Sequence, residues 1–184
     1  MKFLLKTNYR KQENEPIIFR QLRKSDLPAL EWNGEYTHFR RLFEASHHSA
    51  TQGRSILWVV EKPKVGIIGQ LFVQLHSSRP ELADGISRAY IYGFRIQSAY
   101  RGQGIGTRLM KTAEDDLWKR GFTQVTLNVG RDNFLALQLY ERLGYKIVAP
   151  EPGIWSYKDH EGNTHQVNEP SWRMEKELVR IDTF

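Results

Sequence analysis

Runs of apolar residues change period several times along the chain, and each change marks an element. Ile17, Ile18 and Phe19 form a short β-type run. Ser25 or Asp26 then offers a helix N-cap, with Pro28 tolerated in the first turn. Leu27, Leu30, Phe39, Leu42 and Phe43 recur at a broken helical spacing, and Gly34 splits it into helices over about 26–33 and 35–47. Ile56 to Val60 is a continuous apolar run, the pattern of a buried strand. Val65 to Leu75 follows a Lys62-Pro63-Lys64 turn signal and reads as its antiparallel partner. Residues 76–87 are polar and form a loop, and Ala89 to Ile96 is strand-like with Tyr90, Tyr92 and Phe94 on one face.

Ile105, Leu109, Ala113 and Leu117 predict a helix over 104–120, stopped by Gly121. Gln124 to Val129 is a strand. Asn133 caps a helix over about 134–143 that Gly144 ends, with Leu135, Leu139 and Leu143 as its apolar stripe. Tyr145 to Ala149 is a further strand. Trp155, Tyr157, Trp172 and Met174 fall in two strand-like pieces around Glu161-Gly162-Asn163, so 150–178 is expected to be a closing hairpin. The order predicts an α/β (α+β mixed) domain with a mixed sheet. The 184 residues suit one domain, placed at 17–178 between a polar lead-in over 1–16 and a tail over 179–184.

Composition narrows the chemistry. An apolar share of 40% with 14 glycines is that of a globular chain and excludes general disorder. The chain has no cysteine, which excludes disulfides, thiolate metal sites and a cysteine nucleophile. The apolar start at Met1–Lys6 is too short for a signal-peptide core, and no stretch approaches the ~20 residues of a membrane span. A soluble, cytoplasmic protein without a membrane partner is expected. A formal net charge of +6 suits an anionic partner without choosing one. Its basic residues are scattered and no recognition motif accompanies them, so nucleic acid is not expected.

The chemistry concentrates in Arg101-Gly102-Gln103-Gly104-Ile105-Gly106, which follows a strand and opens a helix. Alternating glycines let a backbone approach a ligand, and a helix start leaves N–H groups free, so the segment suits phosphate. A Walker loop would need a lysine where Thr107 and Arg108 stand. A dinucleotide fingerprint would need its third glycine at Thr107, one place later than Gly106. An acyl-CoA loop and a plain glycine-rich turn both remain open on these residues alone.

The surrounding segments resemble the GNAT superfamily of acyl-CoA N-acyltransferases. Arg101-x-x-Gly104-x-Gly106 is similar to that family's Arg/Gln-x-x-Gly-x-Gly/Ala loop. Asn133-x-x-Ala136-x-x-Leu139-Tyr140-Glu141-Arg142-Leu143-Gly144-Tyr145 is similar to its second motif, and Phe19 to Leu30 to its first strand and helix. The resemblance covers roughly residues 17–149. It implies a mostly antiparallel sheet with splayed fourth and fifth strands, helices on both faces, acetyl-CoA as acyl donor, an amine acceptor and no metal. The amides of Gly102, Gln103, Gly104, Ile105, Gly106 and Thr107 would carry the pyrophosphate, with Arg101, Arg108 and Lys111 adding charge. The backbone of Phe94 and Ile96 would pair with the pantetheine arm, and the Phe94 N–H would receive the oxyanion. Asn128 and Asn133 would bond the pantetheine amides, Ala136 would leave room, and Tyr140 would protonate the leaving thiolate. Asn133, Ala136 and Tyr140 share one helix face by their spacing.

The general base is unassigned. Where some family members place a glutamate on the fourth strand, this chain has Tyr90. Tyr90 and Tyr92 are expected to line the acceptor pocket or hold water. Glu31, Glu35 and Glu44 are alternative bases, because that region borders the acceptor site in the family, but each reads better as a solvated helix charge. Trp155, Tyr157 and Trp172 either wall the acceptor site or pack a last sheet layer. Arg95 and Arg131 either reach cofactor phosphate or face solvent. The acceptor is open between a small molecule and a protein, and a homodimer is open as well. A non-catalytic acyl-CoA-binding module with the same fold is the alternative to an enzyme.

Overall fold

A computed structural model describes residues 16–179, so most of the expected lead-in and tail lies outside the described residues. Strand β1 (Ile18–Gln21) is followed by a 3-10 helix (Lys24–Glu31), a second one (Thr37–Phe39) and helix α1 (Arg40–Thr51). Then come β2 (Ser55–Lys62), β3 (Gly66–Gln74), β4 (Arg88–Ile96), α2 (Ile105–Lys119), β5 (Gln124–Gly130) and α3 (Phe134–Arg142). The described chain closes with β6 (Lys146–Glu151), β7 (Ile154–Lys158), β8 (Thr164–Asn168) and β9 (Ser171–Glu177). Seven strands form one sheet in the order β1-β2-β3-β4-β5-β9-β6, while β7 and β8 pair only with each other. Every neighbouring pair in the large sheet is antiparallel except β4 and β5. Among the described residues no helix is long and apolar enough to cross a membrane.

The continuous apolar run in β2 is explained by burial on both faces. Ile56 and Val60 join the core under α2, whereas Leu57 and Val59 join Leu30 and Phe43 under the early helices. The sheet is thus covered on both sides. On α2, Leu109, Met110, Ala113 and Leu117 are fully buried. Each of the two leucines contributes roughly 1.5–3 kcal/mol by burial.

Four expectations need correction. The first helix is a 3-10 turn, because Pro28 lies inside it and Trp32, Asn33 and Gly34 all take positive φ (44°, 57° and 101°). The second begins only after Phe39, later than the pattern suggests. On α3, Leu135 is 82% exposed and does not share a buried stripe with Leu139 and Leu143. Tyr140 sets the inward face, and a residue five places earlier lies on the other side of a helix. The closing hairpin is confined to β7 and β8, where Lys158 pairs with Thr164 across the expected turn. Trp172 and Met174 instead belong to β9, which enters the main sheet between β5 and β6 and buries Met174 completely.

Candidate active site

The parallel pair β4 and β5 is joined only from Arg88↔Gln124 to Ile91↔Leu127. Beyond Ile91, β4 pairs with β3 alone, and beyond Leu127, β5 pairs with β9 alone. A gap therefore opens between two strands at the sheet centre. Its origin is a bulge in β4. Phe72 opposes Tyr92 and Gln70 opposes Arg95, so Gly93 and Phe94 together face a single residue of β3. Gly93 takes φ +60°, a conformation open to glycine, and the fully buried Gln70 fixes the bulge by donating from Nε2 to the Gly93 carbonyl at 3.1 Å.

The bulge also reverses the side-chain alternation. Tyr90 and Tyr92 face a cavity, but Phe94 crosses to the α2 side, contrary to the single face expected for all three. There it limits the space beside Gly106, where a Cβ would lie 3.0 Å from Phe94 Cζ. Its ring centroid stands 6.3 Å from that of Tyr140. Arg95 moves in the opposite sense and lines the cavity.

On the α2 side the loop is held by its own polar residues. Arg101 Nε donates to the Ile96 carbonyl at 2.8 Å, and Gln103 Nε2 donates to the Ala99 carbonyl at 3.2 Å. Gly104 is the N-cap of α2 with φ +76° and offers no side-chain cap. Among the described residues, no protein acceptor takes the backbone N–H groups from Gly102 to Thr107. A Cβ on Gly104 would meet nothing within 4 Å, so the space in front of the loop is open. Arg108 lies over the Phe19 ring at 4.6 Å, and Lys111 is exposed on the same helix.

Asn133 is exposed and caps α3, its Oδ1 accepting from the Ala136 N–H at 3.2 Å. Asn128 differs: its Oδ1 is buried with no protein partner and its residue borders the cavity where β5 has left β4. An orphaned acceptor, an unpaired stretch of β4 and an open amide cradle together fit an extended ligand with amide groups and a phosphate end, as coenzyme A has. Tyr140 is 7% exposed, between Phe94 and Tyr145. Burial, with a smaller contribution from Tyr90, holds its phenol above the ordinary tyrosine value and keeps the proton on near neutrality. The neighbouring Tyr145 is engaged elsewhere, donating to Glu114 at 2.8 Å.

On the opposite side a cavity of about 720 Å³ lies between β4, α1 and β7. Tyr90, Tyr92 and Trp155 line it together, with the two tyrosine rings stacked at 6.0 Å and 5°. Burial pushes the Tyr90 phenol up to about 12, so it is no base near neutrality. Trp155 and Phe39 stack at 6.4 Å, fastening the β7–β8 hairpin to the early helices.

Glu31 and Glu35 do not reach the cavity. The positive-φ turn after the first 3-10 helix directs this segment outward. Glu31 receives Arg40 at 2.6 and 2.9 Å and Thr37 Oγ1 at 2.8 Å, and these donors hold its carboxyl below the usual value. Glu35 and Glu44 are exposed outside the cavity. The cavity carboxylates are Glu151 and Glu169, which the sequence reading passed over. Glu151 is 5% exposed; Arg79 Nη2 donates to its two oxygens at 2.8 and 2.9 Å, and Arg173 Nη1 at 3.2 Å. No spacing signal marks a lone acid at the end of β6. Arg131 lies over the Trp172 ring at 4.2 Å and is exposed to solvent, the second of the two roles considered for it. Among the described residues, no group of three or more His, Cys, Asp or Glu side chains could hold a metal ion.

These features define an α/β protein with a cleft between two parallel strands and an open row of backbone amides at its rim. The chain belongs to the Acetyltransferase (GNAT) family, whose model matches residues 19–145. It is 30% identical over 129 residues to the mycothiol acetyltransferase of Corynebacterium glutamicum, a match covering 68% of this chain and 40% of that protein. It is 41% identical over 58 residues to N-alpha-acetyltransferase 30 of Schizosaccharomyces pombe, covering 32% and 39% respectively. The chain thus spans about two fifths of the length of these curated relatives. Among solved structures, a ribosomal-protein-alanine N-acetyltransferase of Escherichia coli superposes with TM-score 0.67 at 19% identity, over 92% of this chain and 99% of that one. Arabidopsis thaliana NAA60 in complex with acetyl-CoA superposes with TM-score 0.66 at 20% identity, over 89% and 99%. At these identities the likeness is one of fold.

Proposed function

We propose that the protein transfers an acetyl group from acetyl-CoA directly to a primary amine held in the aromatic cavity. The gap between β4 and β5 carries this reading, because β4, which bounds it, lines the cavity with Tyr90, Tyr92 and Arg95 and is tied at Ile96 to Arg101 of the loop. Gly102 to Thr107 would hold the pyrophosphate on their N–H groups, with Arg101 and Arg108 nearby. The free stretch of β4 at Phe94 and Ile96, with Asn128 and the Nδ2 of Asn133, would hold the pantetheine arm beside small Ala136. Bound acetyl-CoA supplies an activated acyl carbonyl.

In the transfer, the amine nitrogen bonds to the carbonyl carbon, the carbon–sulfur bond breaks, and the electron pair leaves with sulfur. The Phe94 N–H, at the bulge, is the donor for the oxygen that gains charge. Tyr140 gives its proton to the sulfur. The amine gives up one proton in turn. Since arginines occupy Glu151 and the outer glutamates stand outside, this proton leaves to Glu169, the cavity's other carboxylate, or to water in the cavity.

Calorimetry with acetyl-CoA, followed by thiol detection across an amine panel, tests the proposal. Binding together with acceptor-dependent thiol release is expected. Absence of acetyl-CoA binding overturns it, and binding without release from any amine favours an acyl-CoA-sensing module instead.

A further inference from the structure

Resting on that reading of the cavity, we infer that the acceptor is a small amine carrying a carboxylate, and that Arg95 receives the carboxylate. The bulge at Gly93 brings Arg95 onto the cavity wall, where a regular strand would direct it to the other face. Its guanidinium lies over Tyr36 at 4.2 Å and over Phe39 at 4.9 Å. Among the described residues it has no ion-pair partner, and its Nη1 is buried without a hydrogen bond. Glu35 acts on it only through space. The cavity's other arginine is different: Arg79 is paired with Glu151 and Glu81.

A half-buried guanidinium keeps its charge, and leaving its buried Nη1 without an acceptor is costly. Burial depresses the Arg95 pKa, the direction expected for a cation lacking a counter-ion. The two aromatic faces fix its plane, so the donor fork is set for a two-oxygen anion. The cavity's volume of about 720 Å³ lies in the range that encloses a small molecule. Phe39, Tyr92 and Trp155 provide apolar wall for the body of such a ligand. Amine and carboxylate on one small apolar body describe an amino acid.

The test is calorimetry on the CoA-saturated protein with paired probes: phenylalanine against 2-phenylethylamine, and tryptophan against tryptamine. CoA binding is measured first on the same sample, and its absence would defeat the acyl-transfer reading, a separate failure. The amino acids should bind about 10- to 100-fold more tightly than their decarboxylated partners, the scale of a charge-assisted contact. Arg95→Gln should abolish that ratio while leaving CoA affinity unchanged, and Arg95→Lys should restore part of it. Equal affinities within each pair, no binding of either amino acid, or a ratio that survives Arg95→Gln would each overturn the inference. If Arg95 served only to stack on Tyr36 and Phe39, Arg95→Gln would lower the melting temperature and leave the ratio intact, which also overturns it. An aspartyl peptide amide presents the same carboxylate from a protein source; tighter binding of that peptide than of the free amino acids would overturn the small-molecule assignment.

Discussion

On its α2 side, the β4 strand borders a site made of backbone. Consecutive N–H groups from Gly102 to Thr107, one cap glycine and an unpaired strand edge supply nearly every contact a ligand could use. On its other side, β4 borders a site made of side chains. Phe39, Tyr92, Arg95 and Trp155 come from a 3-10 helix, a central strand and a distant hairpin. A backbone site depends on conformations that only local sequence sets. A side-chain site depends on where separate elements meet, so its residues can change without disturbing the first.

The strongest way to break this contrast is Gly104→Val. A β-branched residue at φ +76° is strained, and its branches would fill the open space before the amides. Acetyl-CoA affinity should fall by at least about 100-fold, roughly 2.7 kcal/mol. The circular dichroism spectrum should persist, since a Cβ there meets no protein atom within 4 Å. A folded variant with normal affinity would remove the loop from the cofactor site.

Tyr140→Phe sharpens the contrast at the boundary between the two sides. It should lower kcat by about 100-fold, within the range for one proton donor, with acetyl-CoA affinity held within about two-fold. Unchanged turnover would rule out the acid role. Trp155→Ala probes the cavity alone. Losing one stacked aromatic wall should raise the acceptor KM by about ten-fold and leave acetyl-CoA affinity as it was. An equal loss on both substrates would show that the sides are coupled.

The smallest effect concerns the 76–87 loop that presents Arg79 to the cavity. Burial alone would raise the Asp84 carboxyl, but the N–H groups of Arg88, Ile86 and Ser87 and the Ser87 hydroxyl outweigh it and hold it well below the usual range. A depressed folded value means this stabilisation is complete above the unfolded carboxylate pKa and is lost as pH falls through the folded value. Thermal stability attributable to Asp84 should therefore be flat from about pH 8 to 5 and decline below about pH 4. Asp84→Asn should flatten that acid limb and cost less than about 1 kcal/mol near neutrality, after solvent screening is allowed for. An unchanged acid limb in the variant would show that Asp84 contributes nothing to it.

The contrast also explains what could be read from the sequence. The loop from Arg101 to Gly106 and the α3 segment around Tyr140 were legible because each is a local pattern whose glycines or helical spacing fix the backbone. The mixed α/β character was legible for the same reason, since apolar runs and turn signals report on neighbours in the chain, whereas helices on both faces came only with the resemblance. Phe94 was assigned to the wrong face because a bulge of one residue leaves no trace in an alternating strand, and Gly93 reads as an ordinary interruption. Glu31 and Glu35 are candidates because the resemblance puts the early helices beside the acceptor site, whereas three successive positive-φ residues redirect them. Glu151 and Arg79 were passed over because they meet across 72 residues, and neither carries a local signal.

The place of β9 has a consequence for the order of assembly. It follows all the other described strands in the chain, yet it stands between β5 and β6, and β6 pairs with no other described strand. Synthesis proceeds from the N-terminus, and segments that can pack do so as they emerge. The strands from β1 to β4 pair antiparallel with sequence neighbours, and β5 joins them through the α2 crossover. Pairing Gln124 with Glu177 must instead close a long intervening stretch, a cost that rises only slowly with length but is met last. The β7–β8 hairpin lies within that stretch and shortens it once formed. The end of β5 beyond Leu127 and the β6 strand that carries Glu151 therefore both depend on the last described strand for their place in the sheet.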